Sequence, residues 1–222
     1  HEQSSRLALT SRAFYTDTLG PYLETITSLS NFDMALPMNS GAEAVETAIK
    51  AARRWAYLSK KIESDKAEII VADGNFHGRT TTIISFSSDA NSKNDFGPHT
   101  PGFVSVEFGS AKAIEQAINE NTAAVLIEPI QGEGGIIVPP ENFLPDVREI
   151  CSKNNVLMIL DEVQSGLGRT GKMFAFQHSN IQPDGLILGK ALGGGFMPVS
   201  CFLASKEVMQ WLTPGSHGST FG

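Results

Sequence analysis

Leu157-Met158-Ile159-Leu160-Asp161-Glu162, followed by Gly185-Leu186-Ile187-Leu188-Gly189-Lys190-Ala191-Leu192-Gly193-Gly194-Gly195, decides the fold. Each stretch is a short unbroken apolar run that closes on a charged residue. A strand of continuous Leu, Ile and Met is buried on both faces, as in a parallel sheet covered by helices. Working outward, similar runs predict strands over 68–72, 103–108, 123–128, 156–161, 185–188 and 199–204. Helical patterns fall between several of them, over 42–58, 111–119 and 142–154. The expected fold class is α/β, a mainly parallel sheet with helices on both faces. Ligands of such sheets gather at the carboxyl ends of the strands, where Glu128, Asp161 and Lys190 lie.

Composition narrows the function. With 41% hydrophobic residues a real core can form, and 17 basic against 24 acidic residues give a net charge of −7. The absence of a basic cluster argues against nucleic acid as a partner. Mean hydropathy is −0.07, and no apolar run approaches the roughly 18–20 residues of a membrane span. Cys151 and Cys201 stand in apolar contexts without metal or redox spacing. They are expected to be buried free thiols in a reducing compartment. The chain begins at His1 and ends in Ser219-Thr220-Phe221-Gly222, both of which look like cuts through a longer protein.

Three features point to chemistry. Small residues on both sides of Lys190 let something bulky approach its amine, and an amine set against apolar surface becomes nucleophilic. Asp161, closing an apolar strand, needs a cation, and a protonated heteroaromatic nitrogen is one. Asn39-Ser40-Gly41-Ala42-Glu43 opens a helix with small residues, leaving backbone N–H groups for an anion such as phosphate. Each feature alone has a plainer reading: a solvated lysine, a turn cap, an ordinary helix start.

Together they carry a resemblance. Asp161-Glu162-Val163-Gln164-Ser165-Gly166, with Lys190 placed 190 − 161 = 29 positions after Asp161, resembles the signature of the class III pyridoxal-phosphate-dependent aminotransferases. Asn75-Phe76-His77-Gly78-Arg79-Thr80, the stretch Glu128-Pro129-Ile130-Gln131-Gly132-Glu133-Gly134-Gly135, and Gly215-Ser216-His217-Gly218-Ser219-Thr220-Phe221-Gly222 appear in that family's order. Thr10-Ser11-Arg12-Ala13-Phe14-Tyr15 and Leu36-Pro37-Met38-Asn39 are most similar to the branch that acts on ornithine.

The resemblance implies a fold-type I large domain over residues 1–222, lacking the family's N-terminal segment and C-terminal small domain. It implies pyridoxal 5'-phosphate as cofactor. Lys190 would bond to the cofactor aldehyde and later move a proton, while Asp161 would pair with the ring nitrogen. Gln164 would bond the phenolic oxygen, Phe76 would stack on one ring face and Val163 would press on the other. Gly41 and Ala42 would hold the phosphate, and Ser219 and Thr220 would reach the phosphate of a neighbouring subunit, making a homodimer with shared sites. Arg79 would hold a substrate carboxylate, a task suited to its two-pronged donor. Glu133 would pair with a C-terminal arginine, covering it when the diamine binds and releasing it for the keto acid. His77 is given packing only, Glu128 general support, and His99, His178 and His217 ordinary surface or loop positions.

The implied reaction moves the terminal amino group of ornithine to 2-oxoglutarate, giving glutamate semialdehyde and glutamate, in the cytoplasm (or the mitochondrial matrix of a eukaryote). Acetylornithine and 4-aminobutyrate are rival donors, and a cofactor-binding fragment without turnover is a third reading. A nucleotide hydrolase fits poorly. Gly166-Leu167-Gly168-Arg169-Thr170-Gly171-Lys172-Met173 nearly matches a phosphate loop, but Met173 stands where a Ser or Thr must hold Mg²⁺.

Overall fold

A computed structural model describes residues 2–7, 9–10 and 14–219. Seven strands form one sheet: β1 (Met34–Met38), β2 (Glu68–Ala72), β3 (Phe103–Val106), β4 (Thr122–Ile127), β5 (Leu157–Asp161), β6 (Gly185–Leu188) and β7 (Ser200–Ala204). Their order across the sheet is β1-β7-β6-β5-β4-β2-β3. β7 is antiparallel to both its neighbours, β1 and β6. The other pairings are parallel, so β7 alone runs against the rest.

The run of Val, Ile and Leu in the central strands is explained by burial on two faces. Alternate residues point to opposite sides of a strand. Ile69 and Val71 of β2, Ala124 and Leu126 of β4, and Leu157 and Ile159 of β5 pack with Ala44, Val45, Ala48 and Ile49 of the helix Gly41–Trp55. Their alternates Ile70, Val125, Met158 and Leu160 pack on the other face with Ile26, Ile114 and Val147, from the helices Leu19–Ser30, Ala111–Ala117 and Phe143–Lys153. Each of the Val, Leu, Ile and Met side chains among them stabilises the fold by about 1.5–3 kcal/mol through removal from water. Among the described residues no helix is long and apolar enough to cross a membrane.

β1 and the helix Leu19–Ser30 are among the elements outside the sequence expectation. β1 contains Pro37, which cannot donate to a ladder, and it is tolerated because β1 is the edge strand. The helix Leu19–Ser30 carries Pro21 in its first turn, where no N–H is needed. Thr25, Thr27 and Ser30 satisfy their hydroxyls on the carbonyls of Pro21, Leu23 and Ile26, one turn back.

Candidate active site

The segments that follow β1, β2, β4, β5 and β6 converge on one cavity of about 220 Å³. It is lined by Gly41, Ala42, Phe76, His77, Gly78, Glu128, Ile130, Glu133, Asp161, Val163, Gln164, Ser165 and Lys190. The convergence follows from strand direction, since all five of these strands end on the same edge of the sheet.

The helix Gly41–Trp55 opens this cavity with a capping box: Glu43 N–H donates to Ser40 Oγ at 3.3 Å. In return, Glu43 Oε2 accepts the amides of Asn39 and Ser40, both at 2.8 Å. Burial alone would raise the Glu43 carboxyl, but hydrogen bonds from Asn39 and Ser40 hold it below its ordinary value. The amides of Gly41 and Ala42 belong to the first turn, whose N–H groups have no carbonyl one turn back, so they are available to an anion. A Cβ on Gly41 would come within 3.0 Å of Val163 Cγ1, and this close approach brings the β5 loop against the helix start. Gly78, at φ +127, has no room for a Cβ either, which would meet Ala42 Cβ at 2.9 Å. The turn that carries Phe76 therefore presses on the same helix end.

Two buried acids close the interior. Asp161 is 5% exposed: Oδ2 lies 2.7 Å from His77 Nδ1, and Oδ1 accepts the Val163 amide at 3.0 Å. His77 thus does more than pack. Its ring holds Asp161, while its buried Nε2 has no hydrogen-bond partner. Glu128 Oε2 accepts the Phe76 amide at 3.0 Å and Oε1 the Gly132 amide at 3.4 Å. Burial pushes the Glu128 carboxyl above its ordinary value, against the opposing pull of His77 and of the Phe76 amide.

Lys190 lies two residues beyond β6 and is exposed, with φ +38. A non-glycine residue in that left-handed region is strained, and such strain persists only where the surroundings impose it. A second cavity of about 550 Å³ adjoins the first and shares Ile130, Gln164, Ser165 and Lys190 with it.

Of the residues singled out from sequence, Gly41, Ala42, Phe76, Glu133, Asp161, Val163, Gln164 and Lys190 line the first cavity. Gln164 Nε2 donates to Glu133 Oε1 at 3.2 Å. Arg79 is not on the wall; its guanidinium carbon lies 5.8 Å from the centre of the Phe76 ring. Ser219 does not line this cavity, and Thr220 is outside the described residues. Ile130, Gly78 and Ser165 line it without having been singled out. His217 is more than a loop residue: its Nε2 lies 2.7 Å from Thr47 Oγ1 and its Nδ1 2.8 Å from Lys50 Nζ.

A family model described as aminotransferase class-III matches residues 1–222. The chain belongs to the class-III aminotransferases. It is 57% identical over 220 residues to an ornithine aminotransferase of Oceanobacillus iheyensis, covering 99% of this chain and 55% of that protein. The ornithine aminotransferase of Toxoplasma gondii ME49 superposes with a TM-score of 0.98 at 45% identity, covering 100% of this chain and 53% of that one. An acetylornithine aminotransferase from Elizabethkingia anophelis gives a TM-score of 0.86 at 50% identity, covering 100% and 52%. The chain spans about half the length of the relatives it matches.

Class-III aminotransferases use pyridoxal 5'-phosphate, and the residues present suit it. A buried carboxylate, an aromatic ring, a branched aliphatic side chain, a helix start with free amides and an amine all face one space. These match, in order, a cationic ring nitrogen, the two apolar ring surfaces, a phosphate and an aldehyde.

Proposed function

We propose that the protein containing this chain transfers the terminal amino group of ornithine to 2-oxoglutarate, giving glutamate semialdehyde and glutamate. The observation that carries the reading is one cavity holding both the Lys190 amine and the Asp161 carboxylate, in a chain 57–59% identical to proteins named ornithine aminotransferase. The chain is the cofactor-binding large domain of that protein. The functional unit is a cytoplasmic homodimer, with a place in arginine and proline metabolism.

When bound, pyridoxal phosphate supplies an aldehyde that captures amines and a ring that withdraws electrons from the neighbouring carbon. Asp161 would hold the ring nitrogen protonated, and His77 keeps its carboxylate in place. Phe76 and Val163 would take the two faces of the ring, and Gln164 would bond the phenolic oxygen. Gly41 and Ala42 would offer amides to the phosphate, joined by Ser219 and Thr220 of the neighbouring subunit. Lys190 Nζ would be the amine that holds the aldehyde and, when free, the group that carries a proton to and from the substrate carbon. Arg79 binds a substrate carboxylate beside Phe76. Glu133 covers a C-terminal arginine during the first half of the cycle and releases it for the keto acid.

The Elizabethkingia relative supports acetylornithine as the alternative donor. Mixing the full-length protein with ornithine, acetylornithine or 4-aminobutyrate, while following the cofactor absorbance, tests the reading. Ornithine is expected to convert the aldehyde form to the amine form fastest. Faster conversion by acetylornithine would reassign the donor, and no cofactor absorbance at all would refute the enzyme reading.

A further inference from the structure

Ser165 is 6% exposed, and its Oγ is a buried hydroxyl with no hydrogen-bond partner. Leaving such a group unsatisfied costs about 1–3 kcal/mol, so its retention calls for a partner that comes and goes. Ser165 is also one of four residues common to the walls of both cavities, with Ile130, Gln164 and Lys190. Ile130 has only an aliphatic side chain. Gln164 already donates to Glu133. Ser165 and Lys190 are then the two residues of the shared wall with a polar side chain that makes no hydrogen bond among the described residues. A serine hydroxyl both donates and accepts, and one χ1 rotation re-aims it.

The geometry points to Ser165 as a positioning residue for the Lys190 amine during the periods when that amine is detached from the cofactor. The inference rests on the proposed cofactor linkage. When an incoming amine takes over the aldehyde carbon, its nitrogen forms the new bond to that carbon and the bond from Lys190 Nζ breaks. The two protons of the incoming amine end on Lys190 Nζ. The detached amine then carries N–H groups that had no counterpart in the linked state, and Ser165 Oγ accepts one of them. Its swing is thereby limited to the wall between the two cavities, within reach of the substrate carbon.

The test compares Ser165→Ala and Ser165→Thr with wild type in the full-length holoenzyme. Because Ser165 Oγ has no partner in the fold, the alanine variant loses no internal hydrogen bond, and its melting temperature and cofactor content are expected to stay unchanged. Its kcat is expected to fall about tenfold or more, within the range that a positioned proton-transfer group contributes, with KM unchanged. Displacement of Lys190 by methoxyamine, which captures the aldehyde but cannot pass on its amino group, reads the same step by absorbance without turnover. It is expected to slow about as much as kcat does. Ser165→Thr, which keeps the hydroxyl, restores both rates.

An alanine variant with wild-type kcat and wild-type methoxyamine rate overturns the proposal. So does one that loses cofactor, which would make the hydroxyl a cofactor ligand, and so does one altered in KM alone, which would make it a substrate contact. Wild-type protein that binds no pyridoxal phosphate would fail the proposed function itself, a distinct result read before any variant is made.

Discussion

Lys190 and Asp161 stand at the ends of two neighbouring strands, β6 and β5, whose pairing places Asp161 opposite Ile187. The sheet register therefore sets the backbone positions from which the amine and the carboxylate reach into the cavity. In the full-length protein, Lys190→Ala is expected to lose the absorbance of the lysine-linked cofactor and at least about a thousandfold in turnover, since it removes both the anchor and the proton carrier. A visible spectrum and a steady-state assay check both. His77 gives a subtler expectation. Replacing it with leucine keeps the bulk but strips Asp161 Oδ2 of its 2.7 Å partner. Loss of a buried hydrogen bond costs about 1–3 kcal/mol, so turnover is expected to drop about tenfold while cofactor stays bound. Unchanged kcat in His77→Leu would return this residue to a packing role.

Glu162, the first residue after β5, holds the far end of the loop that follows. Its Oε2 and Oε1 accept the amides of Ala175 and Phe176 at 2.7 and 2.8 Å, pinning the short 3-10 helix Ala175–Ser179 beneath the segment that carries Val163 and Gln164. Burial pushes the Glu162 carboxyl from 4.5 up to about 7, reinforced by neighbouring Asp161 and opposed by the two amides. The folded protein thus binds a proton more readily here than the unfolded chain does. Between about pH 4.5 and about 7 this group makes stability fall as pH rises, by up to about 1.4 kcal/mol per pH unit. Glu162→Gln is expected to flatten that part of the melting-temperature profile relative to wild type, and parallel profiles would show that the carboxyl does not titrate there. The same neighbourhood shows what a reader of sequence can see. β5 and β6 were legible because buried strands must be continuously apolar and because a charge closing such a run has to serve something. β1 and the helix Leu19–Ser30 were not, since an edge strand can carry Pro37 and a helix can bond its own Thr and Ser hydroxyls backward. Val163, Gln164 and Phe76 could be placed only by resemblance. The His77–Asp161 bond joins residues 84 positions apart, and nothing in local pattern encodes it.

The cavity gathers five strand ends of one chain, and the start of the helix Gly41–Trp55, the feature suited to a phosphate, lies on its wall. Ser219 is not on its wall, while His217, two residues earlier, ties that segment to the middle of the same helix through Thr47 and Lys50. Whether the segment serves a second copy, as the shared-site reading requires, is decided by subunit mixing. Lys190→Ala and Thr220→Val subunits of the full-length protein are each expected to be nearly inactive alone. If Thr220 serves the neighbouring site, a mixed dimer has one site with both lesions and one with none. Random exchange in a two-fold dimer then restores wild-type chemistry to about a quarter of all sites. If Thr220 serves its own subunit, every site in the mixed dimer keeps one lesion and mixing restores nothing. Activity measured after unfolding and refolding the two variants together, against each refolded separately, distinguishes the outcomes without reference to the identity of the amino donor.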